Sequence, residues 1–128
     1  SIGESYGMTE ESLDKERQVG LAQRQNFQKA VKFGAKIAYG TDAGVYPHGD
    51  NGKQMAKMVE WGMTPMQAIQ TATIKTATLL GMEKEVGALS GGYFADIIAI
   101  KYGDPLQDQK LFEEISFIMK DGKVYKNK

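Results

Sequence analysis

Residues 36–44 read Lys-Ile-Ala-Tyr-Gly-Thr-Asp-Ala-Gly, the most informative stretch of the chain. The short, mostly apolar run 36–39 predicts a β-strand, and the glycines on either side of Asp42 predict a sharp turn at its end. In β/α folds, catalytic groups gather at the carboxyl ends of strands. A carboxylate at that place can ligate a metal ion or transfer protons, so Asp42 is the candidate catalytic residue.

Spacing alone leaves the role of Asp42 open. An aspartate in a Gly-x-Asp turn often hydrogen-bonds its own backbone and has only a structural role. His48 is either a surface loop residue or a group that reaches the same cavity, and Tyr46 is a weaker candidate for that place. The sequence holds one histidine and no cysteine, so Asp42 lacks the partners of a complete metal site.

Three helices are predicted around this strand, over residues 10–33, 52–61 and 65–80. Thr9 caps the first helix, and Asp50 or Asn51 caps the second. The run Thr-Pro-Met-Gln at 64–67 is a capping box with proline at the first helical position, the strongest helix start in the chain. The third helix has a candidate break near Thr73.

The character of the sequence changes after residue 81. Apolar runs bounded by turn residues predict short strands over 86–89, 95–100, 115–120 and 123–126. Asp121-Gly122 lies between the last two runs and predicts a two-residue hairpin. Ile97 and Ile98 face opposite sides of their strand, which predicts a strand covered on both faces. Residues 1–81 therefore have an α/β pattern, and residues 82–128 have the pattern of an antiparallel sheet.

The composition excludes several classes of function. Basic and acidic side chains number 16 each and cancel, so binding to nucleic acid or to a membrane surface is not expected. No apolar run reaches the roughly 20 residues that span a bilayer, and no signal peptide is evident, so a cytoplasmic location is expected. The lack of cysteine excludes disulfides and thiolate zinc sites, and no glycine motif for phosphate binding is present.

Several separated segments together resemble the metal-dependent amidohydrolases, in particular their imidazolonepropionase-like and Xaa-Pro dipeptidase (prolidase-like) branch. Residues 37–44, with Pro-His-Gly at 47–49, resemble the last barrel strand of that family, and residues 62–69 resemble a helix that follows it. The segments that resemble the return of the family's chain into a small β-sandwich are residues 86–89, 95–100 and 103–105. Residues 118–125 resemble the last hairpin of that sandwich. The order and spacing of these modest motifs make the combination specific.

The resemblance implies an α/β fold that is the C-terminal fragment of a β/α (TIM) barrel followed by part of a small β-sandwich. Residues 1–81 would hold the last barrel strand with its flanking helices, and residues 82–128 a portion of the composite sandwich. The N-terminal barrel segment would be missing from this chain. Because a single barrel strand has open edges, we expect a homo-oligomer, a rearranged fold or a part of something larger.

The resemblance also implies roles for the two candidate residues. Asp42 would be the strand-end aspartate, which contacts the metal, takes a proton from the activated water and delivers it to the leaving nitrogen. His48 would lie in a loop over the substrate and contact it. Family members use one or two divalent ions, usually zinc, to hydrolyse amide or cyclic amide bonds. The resemblance therefore implies a small-molecule substrate or a dipeptide such as Xaa-Pro.

The remaining ligands of the family lie on earlier strands that this sequence does not include: a His-x-His pair, a bridging lysine or glutamate and two later histidines. A catalytic zinc ion needs about three protein ligands, and Asp42 and His48 supply two at most. We therefore expect no hydrolysis by this chain alone. The competing hypothesis is a non-catalytic α/β module that binds a partner or a small molecule, with Asp42 in a structural role.

Overall fold

The chain divides into two units, residues 1–35 and residues 36–128, and the computed structural model describes residues 9–44 and 46–128. The described residues form four α-helices, three β-strands and two 3₁₀ turns. The helices are α1 (Glu10–Lys32), α2 (Lys53–Glu60), α3 (Pro65–Thr71) and α4 (Ile74–Leu79). The strands are β1 (Ile97–Ala99), β2 (Phe117–Lys120) and β3 (Lys123–Asn127), and the 3₁₀ turns are His48–Gly52 and Gln109–Glu113.

Helix α1 makes up most of the first unit and confirms the first predicted helix. Thr9 is its N-cap, and its side chain accepts a hydrogen bond from the backbone N–H of Ser12 at 3.3 Å. Glu10 and Glu11 lie in the first turn, where the helix dipole favours negative charge. The chain leaves the helix at Gly34, whose φ of +71° suits glycine. Of the helices described, none combines the length and apolar character that crossing a bilayer requires.

Residues 36–39, predicted as a strand, lie outside the sheet of the described structure. Within the part of the chain that the structure describes, these residues pair with no other strand. The backbone N–H of Tyr39 instead donates to the main-chain oxygen of Thr71 at 3.0 Å and to Oγ1 of Thr76 at 3.3 Å. A strand needs a neighbour to complete its ladder, and here the break between α3 and α4 supplies the acceptors.

The capping box at the start of α3 is confirmed. The Thr64 side chain accepts from the backbone N–H of Gln67 at 3.2 Å, and Gln67 Oε1 accepts from the N–H of Thr64 at 2.9 Å. The predicted break near Thr73 is also confirmed: α3 ends at Thr71, and Thr73 has non-helical φ and ψ of −125° and −104°. The prediction for α2 is wrong in one detail, because its N-cap is Gly52 and no side chain caps it.

The core of the second unit is small and rich in methionine. It contains Met55 and Met58 of α2, as their spacing predicts, together with Met63, Ala68 and Ala77. Thr71 is a polar residue that is fully buried in this core. Its hydroxyl donates a hydrogen bond to the main-chain oxygen of Ala68 at 2.6 Å. The core therefore joins α2, α3 and α4, and the Tyr39 N–H is bonded to its buried Thr71.

The sheet is antiparallel, in the order β1-β2-β3. The predicted hairpin is confirmed: Lys120 pairs with Lys123, and Asp121 and Gly122 have φ of +49° and +74°, the positive values that a type I′ turn requires. The strand predicted over 86–89 is wrong, because residues 86–88 form a bend and Gly87 has φ of +88°. The predicted covering of β1 on both faces is also wrong, since Ile98 is 51% exposed. The described residues contain this one sheet, so the β-sandwich stays a prediction.

Candidate functional site

Asp42 has an exposed side chain and a left-handed backbone, with φ of +48°. Aspartate tolerates this region better than most residues. The structural interpretation of Asp42 predicts a hydrogen bond from its carboxylate to nearby backbone. The structure gives this carboxylate no hydrogen bond or ion pair among the described residues. Asp42 is thus a carboxylate that is available to a ligand.

The residues just before Asp42 are held by hydrogen bonds from several directions. Asn51 accepts two of them: the Tyr39 hydroxyl donates to its main-chain oxygen, and Thr41 Oγ1 donates to its Oδ1 at 3.0 Å. We call this pair of bonds the Asn51 tether. The Tyr46 hydroxyl donates to the Thr41 carbonyl oxygen at 3.1 Å, and Gln54 Nε2 donates to the Gly40 carbonyl oxygen at 3.3 Å. The turn that carries Asp42 is therefore anchored although it belongs to no sheet.

Tyr39 has a raised pKa, chiefly because burial disfavours its charged form and secondly because the Tyr46 phenol lies nearby. The upward direction of this pKa shift favours the hydrogen bond that the Tyr39 hydroxyl donates to Asn51. A raised pKa keeps the Tyr39 hydroxyl protonated, and only the protonated hydroxyl can donate to the oxygen of Asn51.

His48 is exposed and begins the 3₁₀ turn His48–Gly52. No hydrogen bond or ion pair joins its side chain to Asp42 or to another described residue. Residues three apart on a 3₁₀ helix lie on one face, so His48 shares a face with Asn51. That arrangement puts His48 on the turn that holds the Asp42 segment, without bringing the two side chains into contact.

A metal site is incomplete in the part of the chain that the structure describes. These residues contain no group of three or more histidine, cysteine, aspartate or glutamate side chains that could hold an ion. A catalytic zinc ion needs about three protein ligands, so the described residues do not fit one by themselves. The oxygen donors of Asp42 suit a hard or borderline cation, and the carboxylate fits as one ligand among several.

A groove of about 460 Å³ lies beside the sheet and away from Asp42. Its lining includes Ile100, Tyr102, Leu111, Glu113, Ser116 and Lys126. Asp42 and His48 do not line it, so this groove is not the concave surface that the two candidates would share.

The residue that sequence reasoning missed is Asn51, which the pattern indicates only as a helix cap. Its bonds to Tyr39 and Thr41 join positions that are 12 and 10 residues apart in the chain. A usable signal exists in hindsight: Tyr39 and Thr41 are alternate residues, and alternate side chains of an extended segment point to one side. A residue that faces both of them can accept a hydrogen bond from each.

Comparison with known proteins places the chain in a family. A model of the amidohydrolase family matches residues 7–126, and the chain belongs to that family. Ochratoxinase from Aspergillus niger is 35% identical over 125 residues, which cover 94% of this chain and 25% of that protein. Adenine deaminase 1 from Carboxydothermus hydrogenoformans is 28% identical over 120 residues, which cover 94% of this chain and 17% of that protein.

Solved structures agree with the family. The crystal structure of a Xaa-Pro dipeptidase with methionine bound in its active site is 41% identical, with a TM-score of 0.86, over 98% of this chain and 32% of that one. The A. niger ochratoxinase structure is 34% identical, with a TM-score of 0.78, over 98% of this chain and 30% of that one. The predicted resemblance to amidohydrolases of the prolidase-like branch is confirmed, and the chain spans about a third or less of each of these relatives.

Proposed function

We propose that this chain is the C-terminal part of a metal-dependent amidohydrolase that cleaves amide C–N bonds of small molecules, with dipeptides such as Xaa-Pro as the first substrate class to test. The observation that carries the proposal is the exposed Asp42 carboxylate, which has no partner among the described residues and follows an anchored segment. The family match over residues 7–126 and the 41% identity to a Xaa-Pro dipeptidase support the choice of reaction and substrate.

In this proposal residues 1–81 contribute the end of a β/α barrel, and residues 82–128 contribute part of a β-sandwich. The open segment 36–39 is then the last barrel strand, which finds its neighbours in the rest of the longer protein. The lack of a partner strand for this segment among the described residues and the half-exposed Ile98 of β1 support an arrangement in which further strands complete both layers.

Asp42 acts on the proton of the attacking water. Its carboxylate accepts that proton as the water adds to the scissile carbonyl carbon and returns it to the leaving nitrogen as the C–N bond breaks. A bound divalent ion, zinc by family resemblance, supplies the acidity of the water, and Asp42 would be one of its ligands. His48 contacts the substrate from the turn that follows.

The chain alone is inactive in this proposal, because the remaining metal ligands lie outside it. The first test measures metal-dependent hydrolysis of Xaa-Pro dipeptides by the purified 128-residue chain, with zinc added. We expect no turnover above the uncatalysed rate. Robust hydrolysis by the isolated chain would show that the ligand set is complete without further segments.

The second test restores the missing part. Residues 1–128 replace the matched C-terminal third of the Xaa-Pro dipeptidase, which is 41% identical to them. We expect the folded chimera to hydrolyse amide substrates in a metal-dependent reaction. A chimera that is folded, binds metal and lacks all hydrolytic activity on dipeptides and on other amides would favour the competing hypothesis of a non-catalytic module.

A further inference from the structure

The Asp42 side chain makes no hydrogen bond or ion pair with the described residues, so among them its backbone alone sets the position from which the side chain projects. That backbone lies in the left-handed region, which is uncommon for non-glycine residues although aspartate tolerates it. The position of Asp42 therefore depends on the residues that are bonded to the segment before it. Thr41, directly before Asp42, is the one neighbour that is bonded through both its side chain and its carbonyl oxygen.

Asn51 is the centre of this arrangement. Its main-chain oxygen accepts from the Tyr39 hydroxyl, and its Oδ1 accepts from Thr41 at 3.0 Å. Because Tyr39 and Thr41 are alternate residues, one acceptor residue can bind both side chains on the same side of the chain. The two bonds set the register of the segment 39–41 against the turn His48–Gly52.

The turn that carries Asn51 is itself fixed. A Cβ added to the adjacent Gly52 would lie 2.6 Å from the main-chain oxygen of Phe112, so the backbone at Gly52 lies directly against the second 3₁₀ turn, Gln109–Glu113. A continuous series of contacts therefore runs from Phe112 through Gly52 and Asn51 to Thr41, the residue before Asp42.

We infer that Asn51 is a positioning residue for Asp42, acting through Thr41, and that the Asn51 tether holds the carboxylate in the direction that proton transfer needs. The inference rests on the proposed function, since it assigns Asn51 a part in the same reaction. Misplacing a catalytic group by about 1 Å can cost up to about 100-fold in rate, so loss of the tether reduces kcat much more than it alters KM.

The test uses the active chimera and substitutions at each end of the Thr41–Asn51 bond. Thr41→Val keeps the shape of the side chain and removes the donor, Asn51→Ala removes the acceptor, and Thr41→Ser keeps the donor. We expect kcat to fall about tenfold in Thr41→Val and in Asn51→Ala with KM within about twofold, and Thr41→Ser to keep most of the activity. Thr78→Val is the matched control, because the Thr78 hydroxyl donates to Ile74 at 2.9 Å outside the site.

A double-substitution cycle separates positioning from general loss of stability. If one bond carries the effect, Thr41→Val combined with Asn51→Ala reduces kcat no further than either change alone. Independent losses that multiply in the double variant would overturn the tether. So would a kcat that stays at the wild-type value while only the melting temperature falls.

An Asp42→Asn chimera serves as the reference variant, because it tests the proposed function separately from the Asn51 tether. An Asp42→Asn chimera with full activity would refute the role of Asp42 whatever Asn51 does. An inactive Asp42→Asn chimera beside fully active Thr41→Val and Asn51→Ala chimeras would refute the tether alone.

An NMR measurement on the 128-residue chain covers a chimera that does not fold. We expect the order parameter of the Asp42 amide to fall in Thr41→Val and in Asn51→Ala and to stay unchanged in Thr78→Val. An Asp42 order parameter that is the same in all three variants would overturn the inference.

Discussion

Asp42 and Asp121 have nearly the same positive φ, +48° and +49°, but their backbone contacts differ. Asp121 lies in the β2–β3 turn, where its N–H donates to Asp96 Oδ1 at 2.8 Å. The residues just before Asp42 carry the hydrogen bonds of that segment, and neither aspartate carboxylate has a hydrogen bond or ion pair among the described residues. Equal φ with different backbone contacts makes the two aspartates a matched pair for experiments.

Replacing each aspartate by asparagine in the chimera tests whether the Asp42 carboxylate takes part in the reaction. Asparagine tolerates the left-handed region, so neither change strains the backbone. We expect Asp42→Asn to reduce kcat/KM by about 10²- to 10⁴-fold, the usual contribution of a general acid–base group, and Asp121→Asn to leave it within about twofold. Equal kinetics for the two variants would rule out a catalytic Asp42.

The close packing of Gly87 predicts a large cost for adding a methyl group there. Its φ is +88°, and an added Cβ would lie 2.9 Å from the Cβ of Ala77 and 3.0 Å from the backbone of Thr73. Gly92 is the control, with φ of +90° and no atom within 4 Å of the same position. We expect Gly92→Ala to lower the free energy of unfolding by about 1 kcal/mol and Gly87→Ala by about 2–4 kcal/mol. Urea denaturation measures the difference, and similar values for both variants would contradict the packing.

The contact of Gly52 with Phe112 predicts a similar contrast in the turn that carries Asn51. Gly52→Ala forces the turn His48–Gly52 away from Phe112, so we expect a loss of about 1–3 kcal/mol in unfolding free energy. Gly49→Ala, in the same turn with open space around it, should change stability by no more than about 0.5 kcal/mol. Thermal unfolding of the 128-residue chain tests this pair. A Gly52→Ala chain as stable as the Gly49→Ala chain would refute the close approach.

Asp96 predicts a pH dependence of stability at the hairpin. Its hydrogen bond with the Lys120 ammonium, and next the one from the Asp121 N–H, hold the pKa of its carboxyl below the ordinary value. A lowered folded-state pKa adds stability above the unfolded-state pKa of about 4, and this stability is lost as the pH falls through the folded-state value.

The measurement compares acid unfolding of three chains. We expect the unfolding free energy of the wild type to fall more steeply with decreasing pH than that of Asp96→Asn, which has no carboxylate to protonate. Asp121→Asn, which removes a carboxylate next to the contact and keeps the Asp96 bonds, should retain the wild-type slope. Equal slopes for the wild type and Asp96→Asn would show that the pKa of Asp96 is the same in the folded and unfolded chains.

The free edge of β1 predicts self-association of the isolated chain, since β1 pairs only with β2 among the described strands. Ile98 is 51% exposed on this apolar strand, whereas β3 at the other edge carries Lys123 and Lys126. Lysine on an edge strand discourages pairing with another chain. We expect Ile98→Lys to reduce the oligomers seen by light scattering and Val124→Lys on β3 to leave them unchanged. A wild-type chain that is monomeric at high concentration would contradict this prediction.

Local signals are where sequence reasoning succeeded. The cap at Thr9, the capping box of Thr64 and Gln67, and the turn at Asp121-Gly122 are made by residues within a few positions of one another. Such contacts form with little help from the rest of the fold, so composition and spacing are enough to predict them. The methionine face of α2 follows from helical periodicity in the same way.

The features that the sequence did not predict depend instead on contacts between residues far apart in the chain. Residues 36–39 have the composition of a strand, but the acceptors of the Tyr39 N–H are Thr71 and Thr76, far along the chain. Residues 86–89 have a strand-like composition too, yet Gly87 packs against α4 in a bend. Asn51 is a residue type that often caps helices. Only its hydrogen bonds from Tyr39 and Thr41 show that it anchors the segment before Asp42 instead.

The amino-acid sequence by itself determined the helix starts, the hairpin, the candidate Asp42 and the likeness to amidohydrolases, because each depends on neighbouring residues or on the order of short motifs. Tertiary structure alone decided that Asp42 is exposed without a partner, that Asn51 holds the segment before it, and that residues 36–39 pair with no described strand. The physical reason is the range of the interactions: a cap or a turn is closed by adjacent residues, whereas burial, strand pairing and a tether depend on what the fold brings from elsewhere in the chain.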